Sequence, residues 1–128
     1  MTVNQISIFI ENRSGRIAEI LSLLERENIA IDALSLADTA SFGILRIIAH
    51  DHGFAMARLR EIGIAASENR IISVTPTADM PLSQILTVLA DAGLFVEYMY
   101  TVNGENGSVA ISVGDVDAAE TALREAAH

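Results

Sequence analysis

Asn12-Arg13-Ser14-Gly15-Arg16-Ile17 is the stretch of this sequence whose residue types, taken together, could do chemistry. It joins an alternating apolar run to an amphipathic one, so it stands where a helix begins. The first backbone N–H groups of a helix have no intrahelical partner and point outward, and Gly15 would let an anion such as a carboxylate approach them. Asn12 or Ser14 could add a side-chain hydrogen bond. The competing reading is structural: Asn12 or Ser14 caps the helix and Gly15 turns the chain. Arg13 and Arg16 fall where the helix dipole disfavours cations, so each either projects into solvent or helps to hold an anion.

Other polar groups are more scattered. Asp32 and Glu97 are strand carboxylates that either accept a cationic group beside the loop or carry a solvated charge. Tyr98 and Tyr100 alternate with Glu97 and Met99, which places them with Val96 on one strand face, as the wall of an apolar pocket or as packing between sheets. His50 and His52 flank Asp51 and could supply half a metal site. With no Cys in the chain and no further His cluster, no metal is expected, and Asp51 as a helix N-cap accounts for the segment. There is no glycine-rich phosphate loop, no Ser/His/acid set in a supporting context and no recognisable carboxylate pair, so no cofactor and no enzyme activity are expected. If the chain were an enzyme working in a cleft between domains, Asp32, Arg46 and His50 would be the polar groups available, and their spacing selects no reaction.

Composition narrows the partners. A formal net charge of -9, from 17 acidic against 8 basic residues, repels phosphate backbones and anionic membrane surfaces, so neither nucleic acid nor membrane is expected. The 51% hydrophobic content and mean hydropathy of +0.38 imply burial on two sides or self-association. The N-terminal residues lack the basic and apolar regions of a signal peptide, and the apolar runs fall short of a membrane span, which points to a cytoplasmic protein.

The elements that must position these groups follow from periodicity. Val3 to Ile10 alternates as a strand, and Ile17, Ile20, Leu21 and Leu24 mark one face of a helix running to about Glu27, closed by Asn28. Strands at Ile31 to Ala37 and Ile44 to Ala49 form an antiparallel hairpin across residues 38–43. A second helix begins at His50-Asp51-His52-Gly53 and ends at Gly63, and Ile64 to Ser67 is a short strand. The order is then repeated: strand Ile71 to Thr75, helix Pro81 to Ala92, strand Leu94 to Val102, a turn over 103–107, strand Ser108 to Val113, and a helix over Val116 to Ala127 with Asp115 or Asp117 as its N-cap.

One spacing carries Ile17 onto Leu82, Ile20 onto Ile85, Leu21 onto Leu86, Leu24 onto Leu89, Ile31 onto Val96 and Asp32 onto Glu97. It also carries Asn28 onto Gly93, so both copies place a residue tolerant of the left-handed conformation at the same helix end. The sequence therefore reads as an internal duplication, 1–68 and 69–128, of the split β-α-β unit. The fold class is α+β, two tandem ferredoxin-like βαββαβ units. The first strands match with a slip of about one residue, and the second copy lacks its final strand. This leaves an edge covered by copy one, by another subunit, or by nothing.

Glu11-Asn-Arg-Ser-Gly-Arg-Ile-Ala-Glu-Ile20, followed by Asn28-Ile-Ala-Ile-Asp32, resembles the opening of an ACT domain. Leu89-Ala-Asp-Ala-Gly-Leu-Phe-Val-Glu-Tyr-Met-Tyr100 is similar to the helix end and second strand of small tandem ACT proteins. Two departures stand out: Ser14 replaces the usual Pro of the loop in copy one, and Asp79-Met80 stands where Pro-Gly would in copy two. The resemblance implies a regulatory protein that senses an amino acid at an interface between ACT domains. Such a ligand needs donors for its carboxylate and an acceptor for its ammonium. The expected ligand-binding set is then Asn12 to Ile17, Asp32 and Leu34 on the second strand, Met80 and Pro81 of the matching loop, and Tyr98 and Tyr100. Met80 cannot give the close backbone approach that Gly15 can, so the loop of copy one is the expected site, with copy two as wall and scaffold. A homodimer is expected from the apolar sheet faces and the missing strand. The alternative is an interaction module that docks a partner on the apolar sheet face and binds no ligand.

Overall fold

The computed structural model describes residues 2–11, 13–38, 42–102 and 107–127. Their elements run β1 (Thr2–Glu11), α1 (Arg16–Arg26), β2 (Ile31–Asp38), β3 (Phe42–Ala49), α2 (His52–Glu61), β4 (Ala66–Val74), α3 (Leu82–Asp91), β5 (Val96–Thr101), β6 (Val109–Val113) and α4 (Val116–Ala126). This is α+β with the expected order of elements, except that two expected strands are joined in β4. The chain divides into two compact units, one of residues 4–69 and one of residues 70–128 together with 1–3.

In the unit of residues 4–69 the strands lie in the order β2-β3-β1-β4. Antiparallel pairing sets Ile6, Ile8 and Ile10 opposite Ile47, Leu45 and Gly43. These isoleucines join Ile20 and Leu24 of α1 and Ala55 and Leu59 of α2 in one buried cluster. Each large side chain so buried contributes about 1.5–3 kcal/mol by leaving water. In the other unit β4, β6 and β5 are neighbours. Its cluster combines Ile72 and Val74, Ile85 and Leu89, and Ala119 and Leu123. Ile6 and Ile8 thus correspond to Ile72 and Val74, one position beyond the spacing that relates α1 to α3, which is the slip read from the first strands.

The segments read as two short strands, Ile64 to Ser67 and Ile71 to Thr75, are one continuous strand, β4. The polar run Ser67-Glu-Asn-Arg70 is exposed along that strand and gives no apolar signal, which is why it reads as a break. β4 therefore crosses from the first unit into the second. β1 is shared in the opposite sense, because Thr2 and Val3 group with the second unit and Asn4 to Glu11 with the first. No strand of the second unit follows α4 among the described residues.

The helix ends obey local rules. Asn28 has φ 59 and Gly93 has φ 77. In both, the next N–H reaches back five positions, Ile29 to the Leu24 carbonyl and Leu94 to the Leu89 carbonyl, each at 2.9 Å. These are Schellman closures, and Gly63 makes a third, with Ile64 N–H donating to the Leu59 carbonyl at 3.0 Å. At the other ends, Asp51 accepts from Phe54 N–H and Asp115 from Ala118 N–H, so matched aspartates open α2 and α4. Asp115, not Asp117, is the cap.

Candidate functional site

β1 ends at Glu11 and α1 begins at Arg16, and the turn between them depends on Gly15, whose φ of 83 is left-handed. No atom lies within 4 Å of a Cβ built there, so the demand for glycine is conformational rather than steric. Gly15 is itself the N-cap, and no side chain caps the helix. Ser14 is exposed and does not take that role. Asn12 lies outside the described residues.

The two arginines of the loop neither project freely nor stand apart. Arg13 donates through Nη1 and Nη2 to the two carboxylate oxygens of Glu19, each at 3.2 Å, and Arg16 donates to Glu19 at 3.0 Å. Arg13 also lies 3.5 Å from Glu11. The hydrogen bond from Arg13, then that from Arg16, holds the Glu19 carboxyl below the ordinary carboxylate range, and Glu19 raises the Arg13 guanidinium in turn. Arg16 is mostly covered, and its buried Nε has no hydrogen-bond partner. The cluster is a fork of two guanidiniums closed on one internal carboxylate at the start of a helix. Beside it runs an open depression of about 410 Å³, lined by Gly15, Ala18, Glu19, Ser22, Leu23 and Arg26.

Glu19 is the group that the sequence reading passed over. Its signal was present: Arg16 and Glu19 are three apart on one helix, where side chains meet. The return of Arg13 across six positions depends on the left-handed turn and is not periodic.

The other expected residues occupy separate places. Ile17 is half-buried against the first core. Asp32 sits where the β2–β3 register shifts, and its carboxylate is 3.5 Å from His50 Nδ1 rather than on the loop arginines. Leu34 is half-exposed on β2. Glu97 sits at the matching shift in β5 and accepts from the Ser112 hydroxyl at 2.9 Å. Both repeat-matched carboxylates are thus bulge residues.

The bulge corrects the placement of the tyrosines. Val96 pairs with Val113, a core residue, whereas Tyr98 and Tyr100 pair with Ser112 and Ala110, which alternate with the core positions. One extra residue at Glu97 puts the tyrosines on the opposite face from Val96. There they are half-buried, with ring centroids 6.4 Å apart and planes at 12°.

In the loop of the second unit, Met80 N–H donates to Thr77 Oγ1 and Thr77 N–H to the Met80 carbonyl, both at 3.0 Å. Met80 packs against the second core, and Pro81 is the exposed N-cap of α3 with φ -69. This loop needs no left-handed residue. Among the described residues, no group of three or more His, Asp or Glu side chains is arranged to hold a metal, and no helix is long and apolar enough to cross a membrane.

The chain matches a family model described as an ACT domain pair over residues 1–126. Among solved structures, a protein from Bacteroides thetaiotaomicron is similar at 35% identity and TM-score 0.86, over 99% of this chain and 90% of that one. The ligand-free regulatory subunit of aspartate kinase from Thermus thermophilus is similar in fold at 19% identity and TM-score 0.64, over 97% and 90% of the two chains. The corresponding subunit from Thermus flavus gives 19% identity and TM-score 0.59, over 98% and 92%. No curated protein matches by sequence. With the family model spanning both units and the βαββ-α order present in each, the chain belongs to the ACT domain pair family.

Proposed function

We propose that this protein is a small regulatory module, not an enzyme, that binds an amino acid at the start of α1 and acts as a cytoplasmic homodimer. In this reading residues 1–68 carry the site and 69–128 are the companion copy. The observation that carries it is the convergence of Arg13 and Arg16 on Glu19 beside Gly15. A ligand carboxylate takes the place of the Glu19 carboxylate on the two guanidiniums, and its approach to the first N–H groups of α1 is open at Gly15. Glu19, released, accepts the ligand's ammonium. The cluster of Glu11, Arg13, Arg16 and Glu19 balances its charges, which suits a zwitterion better than a simple anion. Asp32, paired with His50, gives up the acceptor role it had in the sequence reading.

Family membership supports a sensing role, as does the likeness in fold to regulatory subunits of aspartate kinase. Regulation follows only if the ligand binds two arrangements of the protein with different affinity, so altered assembly or reorientation is the output. A thermal-shift screen of the twenty amino acids at millimolar concentration tests the reading. At least one should raise the melting temperature of the native protein and fail to do so in Gly15→Leu; a flat screen refutes the reading.

A second reading, a ligand-free docking module, is favoured by Phe9 and Phe42. These rings pack edge to face at 5.9 Å while 52% and 39% exposed. In that case Gly15→Leu leaves partner binding intact.

A further inference from the structure

The second core is open at a point where the first is closed. In the first unit Ile6, Ile8 and Ile10 follow one another into the core, Ile10 is only 3% exposed, and β1 runs on to Glu11. In the second unit Ile72 and Val74 repeat the first two positions, but Pro76 stands at the third and β4 has already ended at Val74. Proline has no N–H to extend the strand and a small ring in place of the isoleucine chain. Pro76 is no part of the buried cluster.

Beside this break lies a cavity of about 420 Å³, whose walls include Val74 and the neighbours of Pro76, Thr75 and Thr77, with Met80, Ile85 and Leu123. None of its lining residues is charged, unlike the loop of the first unit. The Thr75 hydroxyl is engaged with the Ser108 hydroxyl at 2.8 Å. Thr77 Oγ1 accepts from Met80 N–H, which leaves the Thr77 O–H as a donor without a partner among the described residues.

We infer that the second unit binds a small uncharged molecule in this cavity, its apolar body against Val74, Ile85 and Leu123 and one hydrogen-bond acceptor towards Thr77. The lining offers an ion no counter-charge in return for the water it sheds against Val74, Ile85 and Leu123, so the site favours uncharged ligands. The apolar body supplies most of the affinity and the hydroxyl its orientation. The inference is independent of the amino-acid reading of the first loop, because it rests on other residues and a ligand of opposite character.

The test is a methyl and amide NMR titration of the full chain with cyclohexanol, cyclohexanecarboxylate and cyclohexylammonium, which present one ring with a neutral, an anionic and a cationic group. Cyclohexanol should give saturable shifts at Met80, Ile85 and Leu123, with both ions binding at least about ten-fold more weakly. Pro76→Ile, which restores the residue that closes the first core, should abolish those shifts. Thr77→Val, which removes the donor to the ligand together with the acceptor of Met80 N–H, should weaken cyclohexanol by at least about five-fold, the loss expected for one neutral hydrogen bond. Shifts that do not saturate, equal binding of the charged analogues, or undiminished binding in both variants would overturn the inference.

Discussion

The loop from Glu11 to Arg16 and the loop from Thr75 to Pro81 occupy the same place in the two copies and are built on different chemistry. The first turns on a left-handed glycine and gathers two arginines on one glutamate. The second turns through a Thr77–Met80 pair of hydrogen bonds, has no left-handed residue and lines an uncharged cavity. Behind them the frames agree almost residue for residue: Ile20 and Ile85, Leu24 and Leu89, Ala55 and Ala119, Leu59 and Leu123 are matched core pairs. Duplication has therefore kept what buries apolar surface and released the chemistry of the loops. Equal cores with unequal loops are what a pair of copies shows when only the packing is shared between their tasks.

The largest effects should come from the shared frame. Leu24→Ala and Leu89→Ala each empty a fully buried site and should each cost about 2–5 kcal/mol in chemical denaturation. Similar losses at the two sites would sharpen the equivalence of the cores, and a loss confined to one would break it. At the loops the copies should diverge. Gly15→Ala forces an L-residue to a φ of 83 and should cost about 1–2 kcal/mol, whereas Met80→Ala, with no such backbone, loses only packing. The matched caps are smaller in effect. Asp51→Ala and Asp115→Ala should each cost about 1 kcal/mol, since each removes one acceptor from a first-turn N–H.

The smallest effect is electrostatic and belongs to the first loop alone. The Glu19 carboxyl is lowered in the folded protein by Arg13 and Arg16, so its pairing favours the folded state above the unfolded glutamate pKa of about 4.3. That contribution is lost as the pH falls through the lower folded-state value. A carboxyl-detected NMR titration should place the Glu19 midpoint below the usual range in the native protein and move it upward in Arg13→Ala. An unchanged midpoint would mean that the fork is not populated in solution.

What the sequence disclosed was local. Asn28 and Gly93 announced helix ends because a left-handed closure depends on one residue, and Asp51 announced a cap for the same reason. The repeated apolar positions announced both cores, since burial requires the helical period. Three features escaped, each for a nonlocal reason. β4 looked like two strands because Ser67-Glu-Asn-Arg70 is polar on both faces. The bulges at Asp32 and Glu97 are single extra residues against a partner strand, and they reverse the side of every residue beyond them, as the tyrosines show. The Arg13–Glu19 contact spans six positions through a turn, beyond any periodic rule.

The central claim is that the two loops differ in function, with the amino acid taken by the first. Amide chemical-shift mapping of the full chain, titrated with the twenty amino acids in turn, tests it most directly. The account predicts saturable shifts for at least one amino acid at Arg13 to Glu19, lost in Glu19→Gln, with Thr77 to Leu82 unmoved. Saturable shifts centred on Thr77 to Leu82 instead, or none at Arg13 to Glu19 for any amino acid, would contradict it.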